Sequence, residues 1–398
     1  MYNVVIIGGG IVGLASALKL KEKNPKLKIA VVEKEKDLAK HQTGHNSGVI
    51  HSGIYYKPGS YKAKNCVDGY HKLVRFCDEE EIPYELCGKV IVATNKDQLQ
   101  ALNMIHERGQ QNGLKGIRKL IGEEIKEYEP YVNGIQGLHV PQTGIIDYTA
   151  VALKYAEKFK HFGGEIFTDN KVEDIKEVKG FLNVITPHET LITRMVVNCA
   201  GLQSDKIARL TGVKVNYRII PFRGEYFKLK KEKEHLIRNL VYPVPDPNFP
   251  FLGVHFTRMI NGGIEAGPNA VLAYKREGYS KSDVNMSELL GAVTYKGFRK
   301  VAGKYWKTGF GELYRSYSKS AFTRALRQLV PEISKKDLEA GGAGVRAQAC
   351  DKNGGLIDDF LILEGKNFVN VGNAPSPAAT SSLAIGDRVA DIVVNKMN

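Results

Sequence analysis

The first 33 residues constrain the fold of this chain more than any other stretch. An apolar run at residues 4–7 leads into the sequence Gly-Gly-Gly-Ile-Val-Gly at residues 8–13, and a helical pattern follows at 14–23. A second apolar run at residues 28–32 ends in Glu33. A strand, a glycine-rich turn, a helix and a second strand in this order predict a β-α-β unit that binds a dinucleotide.

The spacing of the glycines suits this function. Gly8 permits a tight turn, Gly10 lets the backbone approach a pyrophosphate, and Gly13 allows the helix to pack closely against the strand. The free N–H groups at the start of the helix would face the phosphates. Glu33 is placed to accept hydrogen bonds from a ribose diol, and its charge would repel a 2′-phosphate. These residues predict an adenine dinucleotide, either FAD or NAD.

The composition is that of a globular protein with a sizeable core. Of 398 residues, 43% are hydrophobic and 25% are charged, and this length suits about two domains. No run approaches the roughly 18 uninterrupted apolar residues of a membrane span. The apolar start lacks a preceding basic segment and belongs to the first strand, so it is not interpreted as a secretory signal. The five cysteines form no Cys-x-x-Cys pair, so neither disulfides nor a metal site is expected, and the predicted location is cytoplasmic.

The chain carries a net charge of +14 at pH 7, and this excess of Lys and Arg is dispersed along the sequence. A dispersed excess is typical of a lysine-rich solvated surface, and it would also suit peripheral attachment to the anionic inner face of the cell membrane. No long basic run marks a nucleic-acid-binding arm, so no nucleic-acid partner is expected. The pI of about 9.3 leaves a flavin-containing RNA-modification protein as a minor alternative.

Signals of the nucleotide fold recur along the chain, with apolar strands that end in glycine at residues 195–201 and 368–372. Alternating strand patterns dominate residues 215–273. We predict an α/β fold, α+β overall, in which a Rossmann-like nucleotide-binding domain carries an inserted antiparallel-sheet substrate domain. The nucleotide domain would comprise residues 1–85, 140–212 and 335–398, and the substrate domain residues 86–139 and 213–334.

Two long passages carry a resemblance to a known family. Residues 41–56 read HQTGHNSGVIHSGIYY, and residues 373–386 read NAPSPAATSSLAIG. With the N-terminal glycines they resemble the D-amino-acid-oxidase-like FAD oxidoreductases, which include glycine oxidase and glycerol-3-phosphate dehydrogenase. Within that superfamily, the passages are most similar to the L-2-hydroxyglutarate oxidase and dehydrogenase family. The resemblance implies FAD as cofactor and oxidation of a 2-hydroxy dicarboxylic acid to its 2-oxo acid, with electrons passed to oxygen or to a membrane quinone.

The resemblance also places residues around the flavin. It puts the 41–53 segment beside the flavin and the pyrophosphate, where Thr43 and Ser47 can donate hydrogen bonds. The helix that starts near Ser381 would point its positive end at the flavin. Many related proteins have an acid where this chain has Asn373. The full set assigned to FAD is Gly8, Gly10, Ile11, Val12, Gly13, Glu33, Lys34, Thr43, Gly44, Ser47, Gly48, Val172, Ala200, Gly201, Gly372, Asn373, Ser381, Ser382 and Leu383.

Oxidation of a hydroxy acid requires a group that removes the hydroxyl proton. A neutral imidazole suits this task near pH 7, and His51, in the first passage, is the preferred candidate. His255 is an alternative base because it lies in an apolar stretch of the expected substrate domain. His45 could instead face the flavin or orient His51. The sequence leaves these roles open.

A dicarboxylate substrate needs fixed cations, and arginine is well suited to bind carboxylates through two hydrogen bonds. In the wider superfamily, an arginine near the position of Arg346 often contacts a substrate carboxylate, so the resemblance implies a catalytic-site role for Arg346. Arg223 and Arg258 are further candidates for substrate contact. Tyr55 and Tyr226 could line the pocket.

Other reactions remain open at this stage. The same fold could serve an amine or amino-acid oxidase, or a glycerol-3-phosphate dehydrogenase. An NAD-linked dehydrogenase would explain the first glycine motif but would leave the passages at 41–56 and 373–386 unexplained. A small dicarboxylic hydroxy acid is the expected substrate.

Overall fold

The computed structural model describes residues 1–246 and 253–397. The strands are β1 (Tyr2–Ile7), β2 (Ile29–Val32), β3 (Val49–Ile50), β4 (Tyr84–Glu85), β5 (Lys89–Ala93), β6 (Arg118–Ile121), β7 (Gln136–Val140), β8 (Gly144–Ile146), β9 (Glu165–Phe167), β10 (Asp174–Val178), β11 (Phe181–Ile185), β12 (Thr190–Asn198), β13 (Tyr217–Leu229), β14 (Leu240–Pro243), β15 (His255–Arg258), β16 (Ile264–Gly267), β17 (Val271–Leu272), β18 (Leu338–Asp351), β19 (Leu361–Glu364) and β20 (Phe368–Asn373). The helices are α1 (Ile11–Lys23), α2 (Tyr61–Glu79), α3 (Leu99–Gln111), α4 (Gly122–Tyr128), α5 (Tyr148–His161), α6 (Ser204–Leu210), α7 (Met286–Val293), α8 (Lys296–Lys304), α9 (Trp306–Tyr317), α10 (Lys319–Leu326) and α11 (Ser382–Met397). None of these helices is long and apolar enough to cross a membrane.

The first sheet contains the N-terminal unit. Its main path runs β10-β11-β12-β1-β2-β9, and β20 pairs with β12. The central pairs β12–β1, β1–β2, β2–β9 and β12–β20 are all parallel. Strands buried on both faces are continuous apolar runs rather than alternating ones, as the first residues of this chain are. The carboxyl ends of these strands therefore meet at one edge, where a doubly wound sheet binds its ligand.

Helices α1, α5 and α11 cover one face of this sheet, and their side chains form one core with it. Leu14, Leu18 and Val389 are fully buried there. Gly386 lets α11 approach α1, because a Cβ at that position would lie 2.8 Å from the Ala15 carbonyl carbon. Close packing of these two helices fixes the start of α11 at the same edge as the start of α1.

The second sheet has the order β17-β13-β16-β15-β14-β5-β7-β6, with β18 paired to β13. Its pairs are antiparallel except for the parallel pair of β14 and β5. Helix α10 contributes the buried Phe322 and Leu326 to the core of this sheet. A small third sheet, β3-β8-β4, contains the strand just before His51. The mixed fold with a Rossmann-like sheet and a largely antiparallel second sheet confirms the predicted fold class.

Several predicted boundaries move when the elements are seen together. The strand expected at 195–201 ends at Asn198, and residues 145–146 form part of the short strand β8 directly before α5. In the strand expected around His255, residues 251 and 252 lie outside the described residues. Strand β18 belongs to the second sheet, although it falls within the third predicted segment of the nucleotide domain. The division into domains stays a proposal, and we place the start of that third segment after β18.

Candidate active site

The carboxyl edge of the first sheet is built for close contact with a ligand. Gly8, directly after β1, has a φ of +113°, and a Cβ there would lie 2.5 Å from the Cys199 carbonyl oxygen. A Cβ at Gly13 would lie closer than 3.0 Å to the Gly8 carbonyl oxygen. At Gly10, which precedes α1, a Cβ would meet only the Thr43 hydroxyl, at 3.3 Å. The first turn of α1 therefore faces this edge with bare backbone, as pyrophosphate binding requires.

Glu33 and Thr43 close this turn from two sides. Glu33 is buried, and its two oxygens accept hydrogen bonds from Gly9 N at 2.7 Å and from Glu35 N at 2.9 Å. Each carboxylate oxygen keeps acceptor capacity for a ribose hydroxyl. The Thr43 hydroxyl accepts a hydrogen bond from Ile11 N at 3.0 Å. This bond holds the 41–53 segment against the N-terminus of α1.

The start of α11 reaches the same region. The Ser381 hydroxyl is buried and has no hydrogen-bond partner among the described residues. The Thr380 hydroxyl accepts a hydrogen bond from His51 N at 3.1 Å and lies 2.6 Å from the Tyr148 hydroxyl. Thr380 thus connects the two passages that are far apart in the sequence. A free buried hydroxyl at the start of a helix is suited to a polar part of a ligand.

The other residues predicted to bind the cofactor have varied surroundings. Lys34 forms ion pairs with Glu35 and Glu277. The amide of Asn373 donates to the carbonyl oxygens of Ile357 and Asp359, both at 2.9 Å. These contacts engage both side chains within the protein. Val172, also predicted to bind the cofactor, is in the core, and Ser382 and Leu383 begin α11. The predicted residues that lie at strand ends or in turns of this region are Gly44, Ser47, Gly48, Ala200, Gly201 and Gly372.

One group could coordinate a metal by distance alone. Glu35, His41 and Glu277 bring one ligand atom each within 4.8 Å of one another. The Lys34 ammonium already pairs with both carboxylates and supplies the positive charge that they need. We therefore interpret this group as a salt-bridge network rather than a metal centre.

A second cluster lies around His51 and contains mainly cationic and aromatic groups. Burial, together with the nearby charges of Lys89 and Arg346 among others, lowers the pKa of His51 to about 3. Burial likewise lowers the pKa of His255 to about 4, with contributions from the same two cations. Both imidazoles are therefore neutral at pH 7. The structure thus brings together His51, His255 and Arg346, the three residues predicted as catalytic.

Aromatic side chains form the walls of this cluster. The Lys89 ammonium lies 4.7 Å from the ring centroids of both Tyr55 and Tyr242. The Tyr242 ring stacks against His255 with a centroid distance of 3.9 Å. Tyr226 is close enough to Arg346 for the charge of each to influence the pKa of the other. Two predicted pocket residues, Tyr55 and Tyr226, therefore lie with the predicted catalytic residues.

The structure does not bring Arg223 into this cluster. Opposite residues on paired strands share a face, and Phe222 is opposite Arg346 whereas Arg223 is opposite Val345. Arg223 and Arg346 therefore point to opposite faces of the second sheet. Arg223 is buried and pairs with Glu225 at 3.0 Å.

Arg258 also has a partner elsewhere, since it forms an ion pair with Glu85. It lies three positions after His255 on β15, so the two side chains are on opposite faces of the strand. His45 is exposed and stacks on Tyr279, with a centroid distance of 3.9 Å. Contact of Arg223 and Arg258 with substrate remains a prediction without support from these contacts.

The sequence analysis missed Lys89 and Tyr242. Lys89 is the first residue of β5, a strand whose five residues are all buried. A lysine directly before an apolar run normally marks the exposed end of a strand. No pattern in the sequence indicates that β14 pairs alongside β5, with Leu240 opposite Lys89, and brings the Tyr242 ring to the ammonium group.

Comparison with known proteins decides which dinucleotide this edge binds. A model of the family described as FAD dependent oxidoreductase matches residues 3–392. The chain belongs to the FAD-dependent oxidoreductase family. FAD is its cofactor, and the bare glycine turn, the Glu33 carboxylate and the unpaired Ser381 hydroxyl fit the phosphate, ribose and polar ring parts of that molecule.

Relatives of this FAD-dependent oxidoreductase include proteins of known activity. L-2-hydroxyglutarate dehydrogenase from Indibacter alkaliphilus is 61% identical over 98% of this chain and 98% of its own length. The human mitochondrial L-2-hydroxyglutarate dehydrogenase is 46% identical over 98% of this chain and 88% of its own.

Solved structures share the fold of this oxidoreductase. The L-alpha-glycerophosphate oxidase from Mycoplasma pneumoniae with FAD bound aligns with a TM-score of 0.80 and 26% identity, over 99% of this chain and 94% of that one. Glycine oxidase from Geobacillus kaustophilus aligns with a TM-score of 0.75 over 99% of this chain and 95% of that one. Its sequence identity of 16% supports a common fold alone.

Proposed function

We propose that this FAD-dependent oxidoreductase converts L-2-hydroxyglutarate into 2-oxoglutarate. The observation that carries the proposal is the 61% identity to an L-2-hydroxyglutarate dehydrogenase over nearly the whole of both chains. The chemistry of the cluster around His51 supports it, because Arg346 and Lys89 provide positive charge for an anionic substrate. Neutral imidazoles in the same cluster can accept the hydroxyl proton.

In this proposal, individual residues of the cluster have separate roles in the reaction. FAD, when bound, would supply the acceptor for the hydride that leaves C2 of the substrate. In the proposed mechanism, His51 takes the proton of the C2 hydroxyl, and Arg346 binds the neighbouring carboxylate. The pKa of His51 is low in the substrate-free protein because burial and nearby cations disfavour the imidazolium. A dianionic substrate supplies compensating negative charge, which raises this pKa and makes the proton transfer more favourable.

The proposed activity predicts that L-2-hydroxyglutarate bleaches the flavin. The measurement is an anaerobic absorption spectrum of the holoenzyme before and after addition of the substrate. We expect the flavin bands to disappear with the L enantiomer and to remain with the D enantiomer. Unchanged bands with the L enantiomer would contradict the proposal. Bleaching by glycine, sarcosine or glycerol 3-phosphate instead would support the amine oxidase or glycerol-3-phosphate dehydrogenase alternatives.

We further propose that the electrons pass to a quinone at the anionic inner face of the cell membrane. Helix α9 presents Trp306, Phe310, Tyr314 and Tyr317 on one face, at spacings of four, four and three residues. These side chains are between 55% and 66% exposed. Exposed aromatic residues at helical spacing are typical of helices that lie in the interface of a membrane.

The charge beside this aromatic face matches an anionic lipid surface. Helix α8, which precedes α9 directly, carries Lys296, Arg299, Lys300 and Lys304 and has no acidic residue. Each basic residue near an anionic leaflet contributes about 1 kcal/mol of attraction. Aromatic insertion and electrostatic attraction would therefore act at the same place. Oxygen remains the alternative acceptor.

Removal of the aromatic side chains is expected to abolish membrane attachment. We predict that the double variant Trp306→Ala/Phe310→Ala binds phosphatidylglycerol vesicles at least about tenfold more weakly, because each buried aromatic side chain contributes roughly 1.5–3 kcal/mol. Sedimentation with vesicles measures this, and phosphatidylcholine vesicles test the role of lipid charge. Ile121→Ala, which truncates an exposed residue of β6, is the control. The proposal is wrong if the double variant keeps its vesicle binding and its activity with a vesicle-borne quinone.

A further inference from the structure

Lys89 is a buried cation for which the described residues provide no acidic partner. Only 1% of its surface is exposed, yet no ion pair joins it to a carboxylate in residues 1–246 and 253–397. Burial lowers the pKa of its ammonium to about 7. A buried charge is costly unless a partner compensates it. An anionic ligand would supply the partner that the described residues do not provide.

Buried arginines elsewhere in this protein show the contrast. Arg276 is 6% exposed and forms two hydrogen bonds to the Asp205 carboxylate, one of them at 2.9 Å. Arg223 is 2% exposed and pairs with Glu225. Where the fold buries these cations for structural reasons, it provides a carboxylate. Lys89 has no carboxylate partner among the described residues, and it lies within the candidate active site.

The surroundings of Lys89 are suited to hold an ammonium that faces a ligand. The rings of Tyr55 and Tyr242 flank it, with centroid distances of 4.7 Å, and the negative faces of such rings stabilise a cation. The Tyr55 hydroxyl is buried and has no hydrogen-bond partner among the described residues. A carboxylate beside Lys89 would supply an acceptor to both groups at once.

Lys89 and Arg346 act on the same pair of histidines. Each of the two cations lowers the pKa of His51 and of His255. Lys89 begins β5 and Arg346 lies within β18, so the two cations come from separate strands. A substrate with a carboxylate at each end suits such an arrangement.

We propose that Lys89 binds the distal carboxylate of L-2-hydroxyglutarate, while Arg346 binds the carboxylate beside the hydroxyl, so that Lys89 makes the enzyme selective for a dicarboxylate. This inference rests on the proposed function. It assigns a specificity-determining role to a residue that the sequence patterns do not single out.

The test compares two substrates in the holoenzyme variant Lys89→Met, which keeps an unbranched side chain, one heavy atom shorter, but removes its charge. L-2-hydroxyvalerate has a methyl group where L-2-hydroxyglutarate has its distal carboxylate. We expect the KM for L-2-hydroxyglutarate to rise about 100-fold, as for loss of a buried charge partner, with little change in the KM for L-2-hydroxyvalerate. The selectivity between the two substrates should therefore collapse, while the flavin content stays unchanged.

A matched control is available in Lys62, whose charge also lowers the pKa of His51. Lys62 already has an acidic partner, since it pairs with Asp358 at 2.8 Å. Lys62→Met should leave the ratio of the two kcat/KM values unchanged. Lys89→Arg keeps a cation at the site and should preserve most of the preference for the dicarboxylate.

The pH dependence of the native enzyme tests the inference without a variant. Lys89 can bind a carboxylate only while it is protonated, so kcat/KM for L-2-hydroxyglutarate should fall as pH rises through its pKa of about 7. The value of kcat/KM for L-2-hydroxyvalerate should not fall over the same pH range. His51 and His255 titrate at lower pH, and burial raises the pKa values of Tyr55, Tyr242 and Cys66, which also face Lys89.

The outcomes separate the inference from the proposed function. If the native enzyme does not oxidise L-2-hydroxyglutarate, the proposed function has failed. If it does, but Lys89→Met keeps the selectivity, only the role of Lys89 is wrong. A loss of kcat on both substrates with unchanged KM values would also overturn the inference, because it would indicate a base rather than a binding group. Should Lys89→Met fail to fold, the two pH profiles decide.

Discussion

Replacement of Gly13 by alanine is expected to leave the protein largely without FAD. The added Cβ would lie closer than 3.0 Å to the Gly8 carbonyl oxygen and 3.3 Å from the Cys199 Cβ. The turn cannot move away easily, because Gly8 itself is in close contact with the Cys199 carbonyl. Overpacking of this kind costs about 1–3 kcal/mol, and we expect FAD affinity to fall roughly 100-fold.

The measurement is the ratio of flavin to protein absorbance after purification, followed by fluorescence titration of the apoprotein with FAD. Gly303→Ala provides a matched control, since Gly303 also lies in a helix, α8, and a Cβ there would have no atom within 4 Å. Alanine at that position should be neutral or slightly stabilising. A Gly13→Ala protein that retains FAD like the native protein would show that the turn does not approach the cofactor.

Replacement of His51 by asparagine is expected to have the largest effect on the reaction. Loss of a general base typically costs a factor of about 10²–10⁴ in rate. The side chain of His51 is not part of the glycine turn, so the variant should retain FAD. Anaerobic stopped-flow measurement of flavin bleaching by L-2-hydroxyglutarate gives the rate of the chemical step directly.

His255→Asn is the companion variant, because His255 lies in the same cluster and is the alternative base. Its Nδ1 lies 2.9 Å from the Gly253 carbonyl oxygen and can donate to it, which would leave Nε2 as an acceptor. A loss of rate in His255→Asn with a nearly native His51→Asn would transfer the role of base to His255. Equal small losses in both variants would contradict catalysis by either histidine.

The acid side of the pH profile provides a second readout for His51. In the proposed mechanism the neutral form of His51 is the active one, and burial together with nearby charges lowers its pKa to about 3 in the substrate-free protein. Loss of kcat/KM through protonation of His51 should therefore begin only as pH approaches that value. An unperturbed histidine would instead cause a loss near pH 6.5.

The sequence was sufficient for the elements that depend on near neighbours. The structure confirms the predicted order of β1, glycine turn, α1 and β2. This order could be predicted because each element follows from the local spacing of apolar residues and glycines. The pairings that the sequence does not predict are those between strands far apart in the chain. The short strand β8, which contains residues 145 and 146, pairs with β3 and β4, and nothing near it in the sequence identifies these two partners.

The candidate site shows the same division. The sequence selected His51 and Arg346 through resemblance to a known family, and the charge of Arg346 acts on His51 in the structure. Their catalytic roles stay a prediction. The sequence kept Arg223 as a further candidate beside Arg346, because one residue of register between β13 and β18 decides which face each side chain occupies. It also could not find Lys89, because burial of the ammonium results from strands more than 150 residues away in the chain.

By itself, the sequence determined that this protein binds a dinucleotide at a β-α-β turn, since that signal is complete within 33 residues. The tertiary structure alone decided which cations are paired with acids and which face the candidate site. The physical reason is that side-chain charges interact through space, while periodicity and motifs report only what lies close along the chain. Lys89 illustrates this reason. Its ammonium lies near Tyr55 and Tyr242 and acts on two histidines, and these residues come from separate parts of the sequence.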